Sequence, residues 1–198
     1  RGGVYDTVAT RFDAAGNAVK TVTVATGVAA GGQYPDSATS TTLSNGDVLV
    51  SWQVTKDIFV QRFDSNMNAL GSTIKVSDPA ETTQSKNVPS IAALPNGGAV
   101  VTWHSNNFDS PNSDGVFGQL LDAQGNRVGN TFQVNTRVLG DQTYSSVEAF
   151  NNNEFVVTWT HLNGTEKQIA GQNFNADGTK KGAEFVVVTG NSPSNPSV

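Results

Sequence analysis

An all-β fold of repeated four-stranded antiparallel units, set as a propeller-like ring of about four units, is what this 198-residue sequence predicts. Three observations carry the prediction. A short phrase returns four times, opened by Phe12, Phe63, Leu121 and Phe174 at steps of 51, 58 and 53 residues, and self-similarity at such a period marks a repeat architecture. A tryptophan closes the same apolar run in three copies, at Val50-Ser51-Trp52, Val101-Thr102-Trp103 and Val157-Thr158-Trp159. Finally, no stretch carries apolar residues at helical spacing over the ten or so positions a helix needs.

The best-preserved copy defines the elements. Strand a is read over residues 89–94, b over 98–103, c over 116–121 and d over 131–135, each short and rich in β-branched or aromatic residues. Between a and b, Asn96-Gly97 and, one copy earlier, Asn45-Gly46 are hairpin signals. Between c and d the recurring phrase supplies an aspartate to open the turn (Asp13, Asp64, Asp122) and a glycine where φ is positive (Gly16, Gly125, Gly178). Met67 takes the glycine's place in the second copy, which predicts a shifted loop with Asn66 or Asn68 left-handed. The three tryptophans read as packing anchors between units.

The chain is expected to be one repeat domain over 1–198, with a partial unit at 1–35 holding only c (7–12) and d (19–24), full units at 36–88, 89–144 and 145–195, and the start of a further a strand at 196–198. One b strand, with its tryptophan, is therefore missing from the set of four. An open array of four-stranded sheets, a sandwich or a trefoil are the competing folds.

Composition narrows the partners. The net charge is −5 and no cluster of Lys and Arg offers a footprint for nucleic acid or an anionic membrane. No cysteine is present, so neither a disulfide nor a thiolate metal site is available. No apolar run approaches the ~20 residues of a membrane-spanning helix. The opening Arg1-Gly2-Gly3 without methionine suggests a piece of something longer.

The pieces Val100 to Trp103, Asp109 to Gly115, Gly118 to Asn126, and Phe132 to Asn135 followed by Gln142 resemble a repeat of very large secreted bacterial proteins, among them RTX-type adhesins and other calcium-associated surface proteins. The resemblance covers nearly the whole chain and implies a secreted or cell-surface setting, with neighbouring units of a longer parent chain or a second chain as partners. It implies no single activity. The Gly-Gly-x-Gly-x-Asp calcium nonapeptide of RTX proteins occurs nowhere in the sequence, so the resemblance does not carry calcium with it.

Candidate sites fall in the segments that differ between copies. The longest b-to-c loop offers Asp109, Asn112 and Asp114 as hard oxygen donors for Ca²⁺, or else is a solvated loop. Gln33, Gln84 and Gln142 precede strand a in successive copies, either lining a polar mouth or bonding backbone and tying unit to unit. Tyr34, Tyr144, Phe108 and His104 sit in or beside loops, where aromatic faces with polar neighbours suit a glycan. Catalytic motifs are absent: there are two histidines, His104 and His161, and no nucleophile with a base beside it. A glycosidase needs only two carboxylates, and Asp47, Asp57, Glu148 and Glu154 could meet in space, but nothing in the sequence singles them out and no catalytic residue is assigned. The expectation is a non-enzymatic binding or adhesion module, with a structural spacer and a polysaccharide-active enzyme as alternatives.

Overall fold

The computed structural model describes residues 6–26, 35–81, 83–110 and 113–190, which form strands and turns throughout. β1 (Asp6–Phe12) and β2 (Ala18–Thr26) make a two-stranded hairpin. Three four-stranded antiparallel sheets follow, each with its strands side by side in chain order. Sheet I holds β3 (Pro35–Thr42), β4 (Val48–Val54), β5 (Asp57–Phe63) and β6 (Ala69–Lys75). Sheet II holds β7 (Lys86–Ala93), β8 (Ala99–Ser110), β9 (Ser113–Leu121) and β10 (Arg127–Gln133). Sheet III holds β11 (Asp141–Ala149), β12 (Phe155–Asn163), β13 (Glu166–Phe174) and β14 (Lys180–Gly190). The all-β expectation and the run of c, d and three full sets hold, while the strand expected at 196–198 lies outside the described residues.

The first strands of the sheets adjoin one another. Ala93 N donates to Thr41 Oγ1 at 3.1 Å, Val147 N donates to Ser90 Oγ at 3.2 Å, and the hydroxyls of Thr102 and Ser145 meet at 3.1 Å. Between the sheets lies the core, and each tryptophan packs on the preceding unit. Trp52 packs with Ala9 and Val22 of the hairpin, Trp103 with Leu49 and Val60 of sheet I, and Trp159 with Val100 and Val116 of sheet II. All three rings are buried, as anchors between units must be.

The c–d turns are built as the sequence reads them. Asp13 Oδ1 accepts the amides of Ala15 and Asn17, Asp64 Oδ1 those of Asn66 and Asn68, and Asp122 Oδ1 those of Gln124 and Asn126. These bonds hold the Asp13 and Asp64 carboxyls below the usual aspartate range, the side chain of Asn17 weighing most for Asp13 and the amide of Asn68 for Asp64. One expectation is overturned here. Met67 itself adopts φ 59°, and its amide donates to Asp64 O at 2.9 Å in an unshifted turn. The left-handed backbone costs roughly 1–2 kcal/mol for a side-chain-bearing residue. Burial of the Met67 side chain against Val50, Trp52 and Phe63 offsets that, contributing roughly 1.5–3 kcal/mol.

A device the sequence reading missed recurs in all three sheets. In the pairing of strands c and d, three residues stand opposite one glutamine: 71–73 opposite Gln61, 129–131 opposite Gln119, and 182–184 opposite Gln172. The bulge opens on a left-handed glycine, Gly71, Gly129 or Gly182. Such a bulge leaves backbone carbonyls without ladder partners, and the buried glutamine amide supplies them. Gln61 Nε2 donates to Leu70 O, Gln119 Nε2 to Val128 O and Gln172 Nε2 to Lys181 O, at 3.1, 2.9 and 3.3 Å. The first hairpin has Thr10 and Lys20 at these places; there Thr10 pairs with Thr21 and Arg11 with Lys20, and the register slips only one step on, between Arg11 and Phe12.

Candidate functional site

The two ends of the sheets differ. Asn-Gly and Asp-opened turns crowd one end. At the other, the first strands begin, and there lie Lys86, Asn87, Asp141, Gln142 and Tyr144, with His104, Ser105 and His161 across the pairing from them. This polar end is the candidate site.

Each first strand breaks register at the same point: between Asp36 and Thr39, between Asn87 and Ser90, and between Thr143 and Ser146. Inside each break one residue is left-handed, Ser37 at φ 48°, Val88 at 50° and Tyr144 at 54°. For a β-branched residue such as Val88 this is real strain, on the order of 1–3 kcal/mol. The break also explains why strand a of sheet II starts at Lys86, ahead of Pro89 where the sequence places it: the chain pairs on both sides of the bulge. Bulges re-aim side chains, and Tyr144, 45% exposed, brings its ring to 5.7 Å from that of His104 in sheet II at a tilt of 51°.

The strain is held by a polar network across sheets I and II. Gln53 Nε2 donates to Asn87 Oδ1 at 2.9 Å, Asn87 Nδ2 donates to Asn106 Oδ1 at 2.6 Å, and Val88 N donates to Gln53 Oε1 at 3.3 Å. Beside it the linker from sheet I lies over a cleft of about 250 Å³ lined by Glu81, Lys86, Trp103, Ser105, Phe117 and Gln133. The buried Lys86 ammonium donates to Glu81 O and Oε2 at 3.0 and 2.5 Å. Burial pushes the Glu81 carboxyl up, but the Lys86 ammonium and the Thr83 hydroxyl and amide outweigh it and bring its pKa down to about 2.

Of the residues singled out from sequence, His104 and Tyr144 are brought together. Gln142 is fully buried, and its role is the tying one: Nε2 donates to Gly140 O at 2.6 Å and to His161 Nδ1 at 3.1 Å, while Asn135 Nδ2 donates to its Oε1 at 3.0 Å. The amide donor fixes His161 as the Nε2–H tautomer. Gln84 is not its counterpart. Register places Lys86, opposite Ser105, where Gln142 stands opposite His161. Gln33 and Tyr34 lie outside the described residues, as does Asn112, and the side chains of Phe108 and Asp109 are not described. The segment read as a long b-to-c loop is instead an extension of β8 and β9, paired as far as Ser110 and Ser113. Asp114 is in β9, and its amide donates to Asp141 Oδ1 at 3.3 Å. Among the described residues no three His, Asp or Glu side chains converge as metal ligands.

The four carboxylates that the sequence left open do not come together. Asp47 pairs with Arg62, Glu154 pairs with Lys181 at 2.6 Å, Asp57 pairs with Lys75 at 3.0 Å, and Glu148 is exposed on β11. At the polar end Asp114 of sheet II and Asp141 of sheet III adjoin through the Asp114 amide, while Asp57 and Glu81 face Lys86 and Glu166 lies at the β12–β13 turn.

His104 is 7% exposed and its Nδ1 has no partner among the described residues. Burial brings its pKa down to about 4 from 6.5, so it stays neutral at physiological pH. The unfolded chain takes up a proton near pH 6.5 and the folded chain only near 4. Stability from this group is therefore complete above pH 6.5 and declines as the pH falls toward 4, by roughly 2–3 kcal/mol. His104→Phe is expected to flatten that decline in urea-unfolding free energies measured at pH 7 and pH 4.5. An unchanged slope would refute the assignment. Burial, then Arg137, also lowers the His161 pKa, with Glu184 and Glu166 opposing, so a smaller slope remains in the variant.

No family model matches the chain, and no curated protein matches it. Solved structures do. An α-L-arabinanase of Penicillium chrysogenum, complexed with arabinobiose, superposes with a TM-score of 0.53 at 13% identity over 79% of this chain and 46% of its own. A protein of unknown function from Dyadobacter fermentans superposes with a TM-score of 0.55 at 13% identity over 86% of this chain and 49% of its own. The chain thus spans about half the length of these structures. The expectation of a non-enzymatic adhesion module is corrected by the first of these, because the architecture it was tied to is that of an enzyme holding a sugar. At this identity the likeness fixes the fold, a propeller type of all-β architecture built from four-stranded sheets.

Proposed function

We propose that this chain is part of a polysaccharide-active enzyme of propeller fold, meeting its glycan at the polar end where β3, β7 and β11 begin. The observation that carries the reading is the Tyr144–His104 pair: a half-exposed phenol ring, aimed by a strained bulge of one sheet onto the imidazole of the next. An aromatic face beside polar groups stacks on a sugar ring while its hydroxyls are hydrogen-bonded. The fold likeness to an arabinobiose-binding arabinanase supports the substrate class. Glycoside hydrolysis calls on two carboxylates, and Asp114 and Asp141, drawn from adjacent sheets and linked by the Asp114 amide, are a pair this end offers. A ring completed by further units belongs to the same reading, as does an extracellular setting, which the repeat resemblance supports.

The test is release of reducing ends from arabinan and a panel of plant and marine polysaccharides by the full-length protein. Cleavage of at least one of them is expected. Tyr144→Ala is expected to raise KM roughly tenfold through lost stacking, and Asp141→Asn to lower kcat by 10²-fold or more. Absence of cleavage across the panel, or full activity in Asp141→Asn, would overturn the reading.

A further inference from the structure

Successive residues of a strand face opposite ways, so on β8 Ser105 turns away from the Tyr144–His104 pair and lines the cleft beneath the linker from sheet I. Ser105 is 2% exposed, and its hydroxyl has no hydrogen-bond partner among the described residues. Buried polar atoms are almost always satisfied, and one that lines a cleft is satisfied by what enters it. A second donor stands directly across the strand pairing. Lys86, opposite Ser105, carries three ammonium protons. Two go to Glu81 O and Oε2, and the next carboxylate oxygen, Asp57 Oδ1, is 3.8 Å away, too far to accept the third.

Sheet III shows how such a place is otherwise closed. There His161 stands where sheet II has Ser105, and the Gln142 amide satisfies it at 3.1 Å. Glu184 stands where β10 has Thr131, and its carboxylate pairs with Arg137 of the linker from sheet II, whose Nη1 also donates to Gln168 Oε1 at 2.9 Å. In sheet II the shorter Thr131 and, on the linker, Asp78 leave a cleft of about 250 Å³ over Trp103 and Phe117. That is a little below the roughly 300–1,000 Å³ of pockets for drug-sized ligands, and it suits one small ring.

The lining selects the class of ligand. Glu81 and Asp57 already balance Lys86, and Asp78 adds a further carboxylate, so a second anion is repelled; Lys86 in turn repels a cation. The apolar floor of Trp103 and Phe117 suits the C–H face of a ring, while the Ser105 hydroxyl and the third Lys86 proton suit its oxygens. The geometry points to a monosaccharide site, in which this cleft takes one neutral sugar ring and a ring oxygen substituent accepts from both Lys86 and Ser105. It lies on the opposite face of β8 from the Tyr144–His104 pair and is independent of the catalytic reading.

Titration of the ¹⁵N-labelled chain with L-arabinose, D-xylose, D-galactose and D-glucose, followed by amide and indole NMR shifts, tests it. At least one sugar is expected to saturate with Kd of roughly 1–10 mM, and the largest shifts are expected at Lys86, Ser105, Phe117 and the Trp103 indole. Glycerol, which has no ring, and glucuronate, which is an anion, are each expected to bind roughly tenfold or more weakly. Ser105→Ala is expected to weaken the sugar roughly fivefold or more. The unpartnered hydroxyl that it removes costs stability where it stands, so urea unfolding is expected to find the variant no less stable than the wild type. Tyr144→Ala is expected to leave the titration unchanged. The proposal is overturned if none of the four sugars saturates, if glycerol or glucuronate binds as tightly, if Ser105→Ala binds as the wild type does, or if Tyr144→Ala abolishes the shifts, which would move the sugar to the other face.

Discussion

Gly118→Ala is expected to destabilise the protein by roughly 2–3 kcal/mol, and Phe132→Ala to rescue that loss. A Cβ on Gly118 would lie 2.5 Å from the Phe132 ring, and one on Gly171 would lie 2.6 Å from the Phe185 ring. In each case the tip of a strand-d ring lies over a glycine of strand c, and Phe132 is wedged in its turn, meeting Phe174 at 5.4 Å and Phe155 at 6.3 Å. It cannot retreat without unpacking sheet III. Sheet I provides the control within the same molecule, because there Val60 pairs with Ile74 at the corresponding positions and Val60 is 1% exposed. A small partner on d permits a side chain on c, and a large partner demands glycine. Phe132→Ala alone removes a half-buried ring from a packed cluster and is expected to cost about 3 kcal/mol. In that background Gly118→Ala is expected to cost less than about 0.5 kcal/mol or to stabilise, since alanine restricts the unfolded chain more than glycine does. Additive losses in the two single variants and the double variant, measured by urea unfolding, would show that the ring and the glycine are not coupled.

The same pair shows what a sequence conveys and what it withholds. The period, the turns and the tryptophans were legible because each rests on local chemistry: an aspartate that can accept its own turn's amides, a glycine that can go left-handed, an indole at the end of an apolar run. Met67 was misjudged because the rule used was local while the compensation is not; the methionine is strained in its turn and buried against Trp52 of the neighbouring strand. The extension of β8 and β9 to Ser110 and Ser113 was misread as a loop because Asn, Asp, Ser and Pro outnumber apolar residues there.

The candidate site was legible only in part, for a related reason. His104 and Tyr144 are 40 positions apart, and what joins them is a bulge whose signature is backbone geometry, occupied by serine, valine and tyrosine in the three sheets. No residue type marks it. The glutamines preceding strand a drew attention through their position in the chain, yet the functional counterpart of Gln142 proved to be Lys86, a residue of different chemistry holding the same linker in place. The glutamines that do share one role, Gln61, Gln119 and Gln172, lie inside strand c, where a polar residue on a strand is read as solvent-facing until the bulge opposite is seen.

Gln119 carries the second large effect. Its amide nitrogen donates to Leu120 O and Val128 O at 3.0 and 2.9 Å, and its oxygen accepts from Arg127 Nη2 at 2.9 Å and from Thr131 Oγ1 at 3.2 Å, all with the side chain fully buried. Removing it strands carbonyls that the bulge has already taken out of the ladder, at about 1–3 kcal/mol for each buried group left unpaired. Gln119→Ala is expected to cost about 4 kcal/mol. The informative variant is Gln119→Leu, which keeps nearly the same volume and loses only the bonds. If the glutamine served to fill space, leucine would restore most of the stability; because it serves the bulge, leucine is expected to fall within about 1 kcal/mol of alanine. Sheet III adds an internal gradation. Glu184 stands there where sheets I and II have a threonine, and Gln172 Oε1 is left without a partner among the described residues. Gln172→Leu therefore surrenders fewer bonds than Gln119→Leu and is expected to cost less, by about 1 kcal/mol. Equal losses at the two sites would mean that the contacts of the Gln119 oxygen with Arg127 and Thr131 contribute nothing and that the bulge is held by the amide nitrogen alone.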